Sequence, residues 1–284
     1  MELAKASVTV PPGRPLKLFP VGDIHLGAAA CDFTKAARVV EMIRRDPNAR
    51  WVGMGDYADC ILPSDPRWSM RGLDWKRIGR DVKGLPDVGD LAQEQIDLVD
   101  SFFEPIWSKC IGLLEGNHEQ VFERHYFANL TKRLSRNHDV PYLGQTALVK
   151  LTVDDGLKHA FSPVIFAEHG ATGGGTPGNA INSLAARLNQ WDADILLKGH
   201  VHRRAILRHV GFGWGVHKLV ASHRVIVLTG SYLKGYAEGE TTYSERKAYP
   251  PNELGGTCVL VHPRSRTIDA VNTEALDLLG RAAA

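Results

Sequence analysis

The chain has 284 residues, 44% of them hydrophobic and 23% charged, with a formal net charge of +2. That length and composition build a substantial core and exclude a disordered tail, and so small a charge falls short of the basic balance that by itself marks a nucleic-acid binder. The four cysteines, Cys31, Cys60, Cys110 and Cys258, are scattered with no CxxC pair, which argues against a disulfide framework and a thiolate zinc site.

From the N-terminus, Met1–Pro15 lacks the apolar core of a signal peptide, and no run approaches a membrane span, so the expected location is cytoplasmic. Short aliphatic and β-branched runs then predict strands over Leu16–Val21, Trp51–Met54, Cys110–Leu114, Ala147–Val153, Val164–Ala167, Ile195–Lys198, Ala205–Val210, Val225–Leu228, Thr257–Val261 and Thr267–Val271. Apolar residues at three- and four-residue spacing predict helices over Leu91–Trp107 and Ala180–Trp191, the second with Asn179 as its cap. Nothing in the chain reads as a linker or repeat, so residues 1–284 are expected to form one domain, with a cap or insertion at about 60–105. Within that insertion Ser64–Lys83 mixes Trp68 and Trp75 with Arg67, Arg71, Lys76, Arg77 and Arg80. Those side chains could stack on bases or hold phosphates; packing of the insertion onto the sheet is the simpler reading and is favoured.

Several strands end in residues of one chemical kind. In chain order these are Asp23-Ile24-His25, Gly55-Asp56-Tyr57-Ala58-Asp59, Gly116-Asn117-His118-Glu119, Glu168-His169-Gly170 and Gly199-His200-Val201-His202. Residues two apart on an extended segment point the same way, so Asp23 with His25, and His200 with His202, are each expected to reach a shared site. The glycines beside them let backbone pass close to a metal without a Cβ in the way. Carboxylate, imidazole and amide donors together suit divalent manganese, iron, zinc, cobalt or nickel better than calcium.

The ordered set D-x-H, G-D-x-x-D, G-N-H-[DE], H and G-H-x-H resembles the signature of the calcineurin-like metallophosphoesterase superfamily. The resemblance implies an α/β fold, a four-layer α/β/β/α sandwich of two mixed β-sheets flanked by helices, with two divalent ions, manganese first, at the strand ends. It implies that Asp23, His25 and His202 hold the first ion, that Asn117, His169 and His200 hold the second, and that Asp56 bridges both. His118 would stand beside the substrate as transition-state stabiliser or proton donor while a bridging hydroxide attacks phosphorus. Purple acid phosphatases, a branch of that superfamily, carry a tyrosine where this chain has Asp59, so no tyrosinate-to-iron site is expected.

The implied activity is phosphoester hydrolysis, leaning to phosphodiesters such as nucleotides or nucleic acid. The alternatives are a phosphomonoesterase and, in another class, a catalytically silent metal-binding scaffold. Arg203 and Arg204, with Arg208, follow the last motif and are candidate substrate contacts, though a solvated strand face explains them as well. Ser231–Gly256, with Tyr232, Tyr236, Arg246 and Lys247, is a second candidate substrate wall. The glycine-rich Gly173–Gly178 lacks the GK[ST] ending of a phosphate-binding Walker loop.

Overall fold

The computed structural model describes the chain except for residues 62, 64, 66–67, 79–87, 127–128, 171–175, 239–241 and 283–284. Arg67, Arg80, Lys83 and Gly173–Gly175 therefore lie outside the described residues. The strands are β1 (Glu2–Thr9), β2 (Leu16–Val21), β3 (Ala49–Gly53), β4 (Cys110–Leu113), β5 (Thr146–Asp154), β6 (Ala160–Phe161), β7 (Val164–Glu168), β8 (Ile195–Lys198), β9 (Arg204–Gly215), β10 (Lys218–Thr229), β11 (Thr257–His262) and β12 (Thr267–Asn272). The helices are α1 (Phe33–Arg45), α2 (Trp75–Ile78), α3 (Val88–Phe103), α4 (Asn117–Tyr126), α5 (Leu130–Asn137), α6 (Pro177–Ala185), α7 (Tyr243–Arg246) and α8 (Thr273–Ala282).

The strands form two mixed sheets. One runs β1-β5-β7-β8-β10-β9, with β6 paired to β5, and the other runs β12-β11-β2-β3-β4. Within them β2, β3 and β4 are parallel, as are β7, β8 and β10, so the C-terminal ends of each set lie along one edge of their sheet.

Side-chain alternation divides the buried residues among three apolar clusters. Leu16 and Leu18 of β2 share one cluster with Ile165 of β7, Ile195 and Leu197 of β8 and Val225 and Val227 of β10, so both sheets feed it. The opposite faces of the same strands look elsewhere. Phe19 and Val21 join α1 and α3, through Val39, Ile43, Leu91, Ile96 and Phe103. Phe166, Leu196, Ile226 and Leu228 join Leu184 of α6. Strands buried on both faces explain why the sequence shows continuous apolar runs there.

Several elements differ from the sequence expectations. The cap of α6 is Thr176, whose side chain accepts from Asn179 N; Asn179 itself lies inside the first turn. Beyond Phe103 and Ala185 the expected helices continue only as 3₁₀ turns, Glu104–Lys109 and Ala186–Asn189. From Leu91 onward α3 contributes Leu91, Ile96, Val99 and Phe103 to the core. In its described part Trp68 and Trp75 meet edge to face and pack against that core, Trp75 donates to Met70 O, and Arg77 lies over the Phe33 ring. This is the packing reading of the segment. Among the described residues no helix is long and apolar enough to cross a membrane.

Candidate metal centre

All five motifs arrive on loops or helix ends just beyond strands. Asp23 and His25 follow β2, Asp56 follows β3, His169 follows β7, and His200 and His202 follow β8. Asn117 and His118 differ from the rest: they open α4 after a short turn from β4. Ligand-bearing loops from both sheets thus converge.

The backbone there is not extended. Asp23, His25, Asp56, His200 and His202 all have positive φ, between 49° and 65°. Such left-handed conformations cost a non-glycine residue roughly 1–2 kcal/mol and persist only where the surroundings impose them. Two neighbouring contacts impose them here. His200 N donates to both Asp23 carboxylate oxygens at 3.0 Å, joining the first motif to the last. The buried Glu119 carboxylate accepts from Asp56 N (2.9 Å), Tyr57 N (2.7 Å) and Gly116 N (2.9 Å), joining the second motif to the third. This role of Glu119 is not among the sequence expectations; a carboxylate three residues beyond Gly116 at a helix start is the signal for it.

Glycine is required where these loops touch. A Cβ on Gly116 would lie 2.1 Å from Asp56 Oδ1, and one on Gly55, at φ +88°, would lie 2.6 Å from Gly116 N and 2.7 Å from His169 Nδ1.

The side chains fall into two groups around Asp56. Asp23, His25, Asp56 and His202 bring one ligand atom each within a 4.8 Å span, and so do Asp56, His169 and His200. His202 Nε2 is 3.3 Å from Asp23 Oδ1 and 3.2 Å from His25 Nε2, which is itself 3.8 Å from Asp56 Oδ2. On the other side His169 Nε2 is 3.3 Å from Asp56 Oδ2, and Asn117 Oδ1 is 3.0 Å from His169 Nε2 and 2.7 Å from His200 Nδ1. His200 and His202 therefore do not reach one shared site, contrary to the expectation from their two-residue spacing. The left-handed turn sends His202 to the first group and His200 to the second.

These donors fit divalent cations. Ligand atoms at about 2.1 Å in octahedral array stand about 3 Å from one another, which is the separation seen here. His169 Nδ1 bonds Met54 O at 2.6 Å, leaving Nε2 to face Asp56 and Asn117 oxygens. Two ring nitrogens 3.2 Å apart, in His25 and His202, likewise need a proton or a cation between them. With protons alone the charge balance shows in the titration directions. Burial works to lower His169, but Asp56 outweighs it and raises the imidazole to about 10. His25 is raised despite burial by Asp59, Asp56 and Asp23, whereas burial holds His200 below its ordinary value. Burial opposes ionisation of Asp56, yet His169, His118 and His25 keep it well below the usual carboxylate range. Burial and neighbouring Asp56 push Glu119 up to about 7.

His118 sits beside the first group, its ring edge-on to His25 at 4.5 Å, its backbone N donating to Asp56 Oδ1 at 3.0 Å, and its Nδ1 bonded to Asp59 O. Asp59 Oδ1 is in turn 3.5 Å from His25 Nδ1. Tyr57 points away. Its hydroxyl donates to Leu114 O at 2.7 Å, and burial raises its pKa well above the ordinary phenol value.

The arginines are engaged elsewhere. Arg203 donates to the Pro250 and Pro251 carbonyls, and the buried Arg204 guanidinium is held by Glu253 and Glu274. Arg208 pairs with Asp269. These contacts fasten β9 and the residue before it to neighbouring segments. The segment 231–256 does flank the site: Tyr232 N and Ser231 Oγ donate to Asp23 O, and Lys234 N donates to Ala30 O.

No family model matches the chain, and no curated protein matches it.

Proposed function

We propose that this chain is a metal-dependent phosphoester hydrolase of the calcineurin-like metallophosphoesterase kind. One observation carries the reading: two groups of buried carboxylate, imidazole and amide donors share the Asp56 carboxylate, with His118 beside them. The three apolar clusters, one shared by the sheets and one on each outer side, support a four-layer α/β/β/α arrangement for the fold.

In this reading Asp23, His25 and His202 hold one cation, Asn117, His169 and His200 hold the other, and Asp56 serves both. Two divalent ions, manganese first, would supply Lewis acidity toward the phosphate oxygens and a water acidified enough to attack at neutral pH. Asp56 and the imidazoles fix where those charges sit before substrate arrives, so little reorganisation is needed as negative charge builds on the phosphoryl group. His118, positioned through Nδ1 by the Asp59 carbonyl, is the proton donor to the departing oxygen. The preference goes to phosphodiesters, nucleotides or nucleic acid. The exposed rings of Tyr236 and Tyr249 on the segment beside Asp23 support it, since aromatic faces take bases.

Turnover of bis-p-nitrophenyl phosphate and of the mono-substituted analogue by the manganese-loaded chain tests this directly. Faster hydrolysis of the diester is expected. Preference for the monoester would give the phosphomonoesterase reading, and metal-loaded protein inert toward both would leave a metal-binding scaffold.

A further inference from the structure

Strands β9 and β10 pair over their whole length, from Arg204↔Thr229 to Gly215↔Lys218, but β8 covers only Val225–Leu228 of β10. The remaining half of the hairpin extends past the sheet as an arm. Because β10 runs parallel to β8, whose end leads to His200, the arm leaves from the sheet edge opposite the metal centre. At about 3.3 Å per residue its tip lies about 35 Å from Thr229, too far to line that site.

The arm is one-sided. Cross-strand partners share a face, so Val210, Phe212 and Trp214 of β9 align with His223, Ala221 and Leu219 of β10. This face continues the one that carries Val225 and Val227 into the core between the sheets. Beyond the core it is bare: Trp214 is 91% exposed, and Phe212 and Leu219 are each 68% exposed. The other face carries Gly211, Gly213 and Gly215 opposite Ser222, Val220 and Lys218, so beyond the core Val220, 44% exposed, is its one large apolar side chain, and Val216 lies in the turn between the strands. An apolar tip ringed on all sides would suit a lipid surface; a stripe along one face suits a second sheet.

We infer that the arm is a dimerisation element that packs against the same arm of a second copy of this chain. Three features select a second copy. The bulky Phe212 column faces small Ala221 across the ladder, so knobs from one arm find a shallow place on the other. The exposed stripe amounts to about 600 Å² per chain, and two such stripes reach the roughly 1,200 Å² at which specific interfaces begin. Crossing antiparallel also brings Lys218, next to the turn of one arm, toward Asp192 and Asp269 at the root of the partner arm, both of which remain at least 46% exposed beside their arginines.

The test is the solution mass of the full chain by light scattering at micromolar concentration, with the double variant Phe212→Ser/Trp214→Ser alongside. The expected result is twice the 31.2 kDa chain mass for the native protein. The double variant is expected at the single-chain mass, with unchanged circular dichroism and unchanged hydrolytic rate per chain. A native monomer, or a double variant that stays dimeric, overturns the inference. So does a monomer that sediments with phosphatidylserine vesicles through Trp214, which would assign the stripe to a lipid surface. Catalytic failure of the proposed hydrolase would leave these masses unchanged, so the two readings fail separately.

Discussion

Asp56 carries the heaviest demand of any residue in the centre. Its carboxylate belongs to both donor groups, its backbone is left-handed, and its amide is anchored on Glu119. Asp56→Ala is expected to abolish turnover and to lower bound metal at both positions, measured by elemental analysis. His118→Ala should keep the metal and lose about 10²–10⁴ in rate, since in the proposed reaction it removes a proton donor and no ligand; unchanged turnover in that variant would take His118 out of the reaction. Glu119→Ala strands three buried backbone donors at roughly 1–3 kcal/mol each. The melting temperature is expected to fall by about 5 °C or more, and a shift within about 1 °C would show that the loops hold without it.

At the level of elements, helix caps give a cleaner comparison. The Asp32 side chain accepts from Lys35 N at 3.0 Å at the start of α1, and Thr176 caps α6. Asp32→Ala and Thr176→Ala should each cost about 1 kcal/mol in denaturant unfolding, while Asn179→Ala, inside the turn, should cost little. Equal losses for Thr176→Ala and Asn179→Ala would return the cap to Asn179. The strands that lead into the candidate site were legible because burial on both faces leaves mostly apolar runs, and Leu16–Val21 and Ile195–Lys198 have the predicted bounds. Strand β1 was not legible: at a sheet edge it buries only Val8, and its other inward positions, Ala4 and Ala6, are too small to mark the alternation. Helix α1 did carry a readable signal, Asp32 followed by Ala36, Val39, Val40 and Ile43 at helical spacing. The hairpin arm was read too short because Gly211, Gly213 and Gly215 dilute the strand pattern beyond Val210. The left-handed turns at the ligands leave no compositional mark, which is why spacing alone paired His200 with His202.

For the molecule as a whole, the site sits where the ends of both sheets meet, so closing it depends on the core the sheets share. Cations that bind only the assembled site stabilise the fold by mass action. Added manganese should therefore raise the melting temperature of the native chain and leave that of Asp56→Ala nearly unmoved. The thiols should stay inert in the folded chain: burial pushes Cys31 up to about 12 and raises Cys110 and Cys258 as well. Alkylation by iodoacetamide at pH 8 is expected to be slow until denaturant is added, and rapid native labelling of Cys31 would contradict that. The most direct measurement is anomalous diffraction from crystals grown with manganese. The expected map holds two peaks, one among Asp23, His25 and His202 and one among Asn117, His169 and His200, both within bonding reach of Asp56. A map with no peak at either position, or with its only peaks elsewhere on the chain, would contradict the metal centre and the hydrolase built on it.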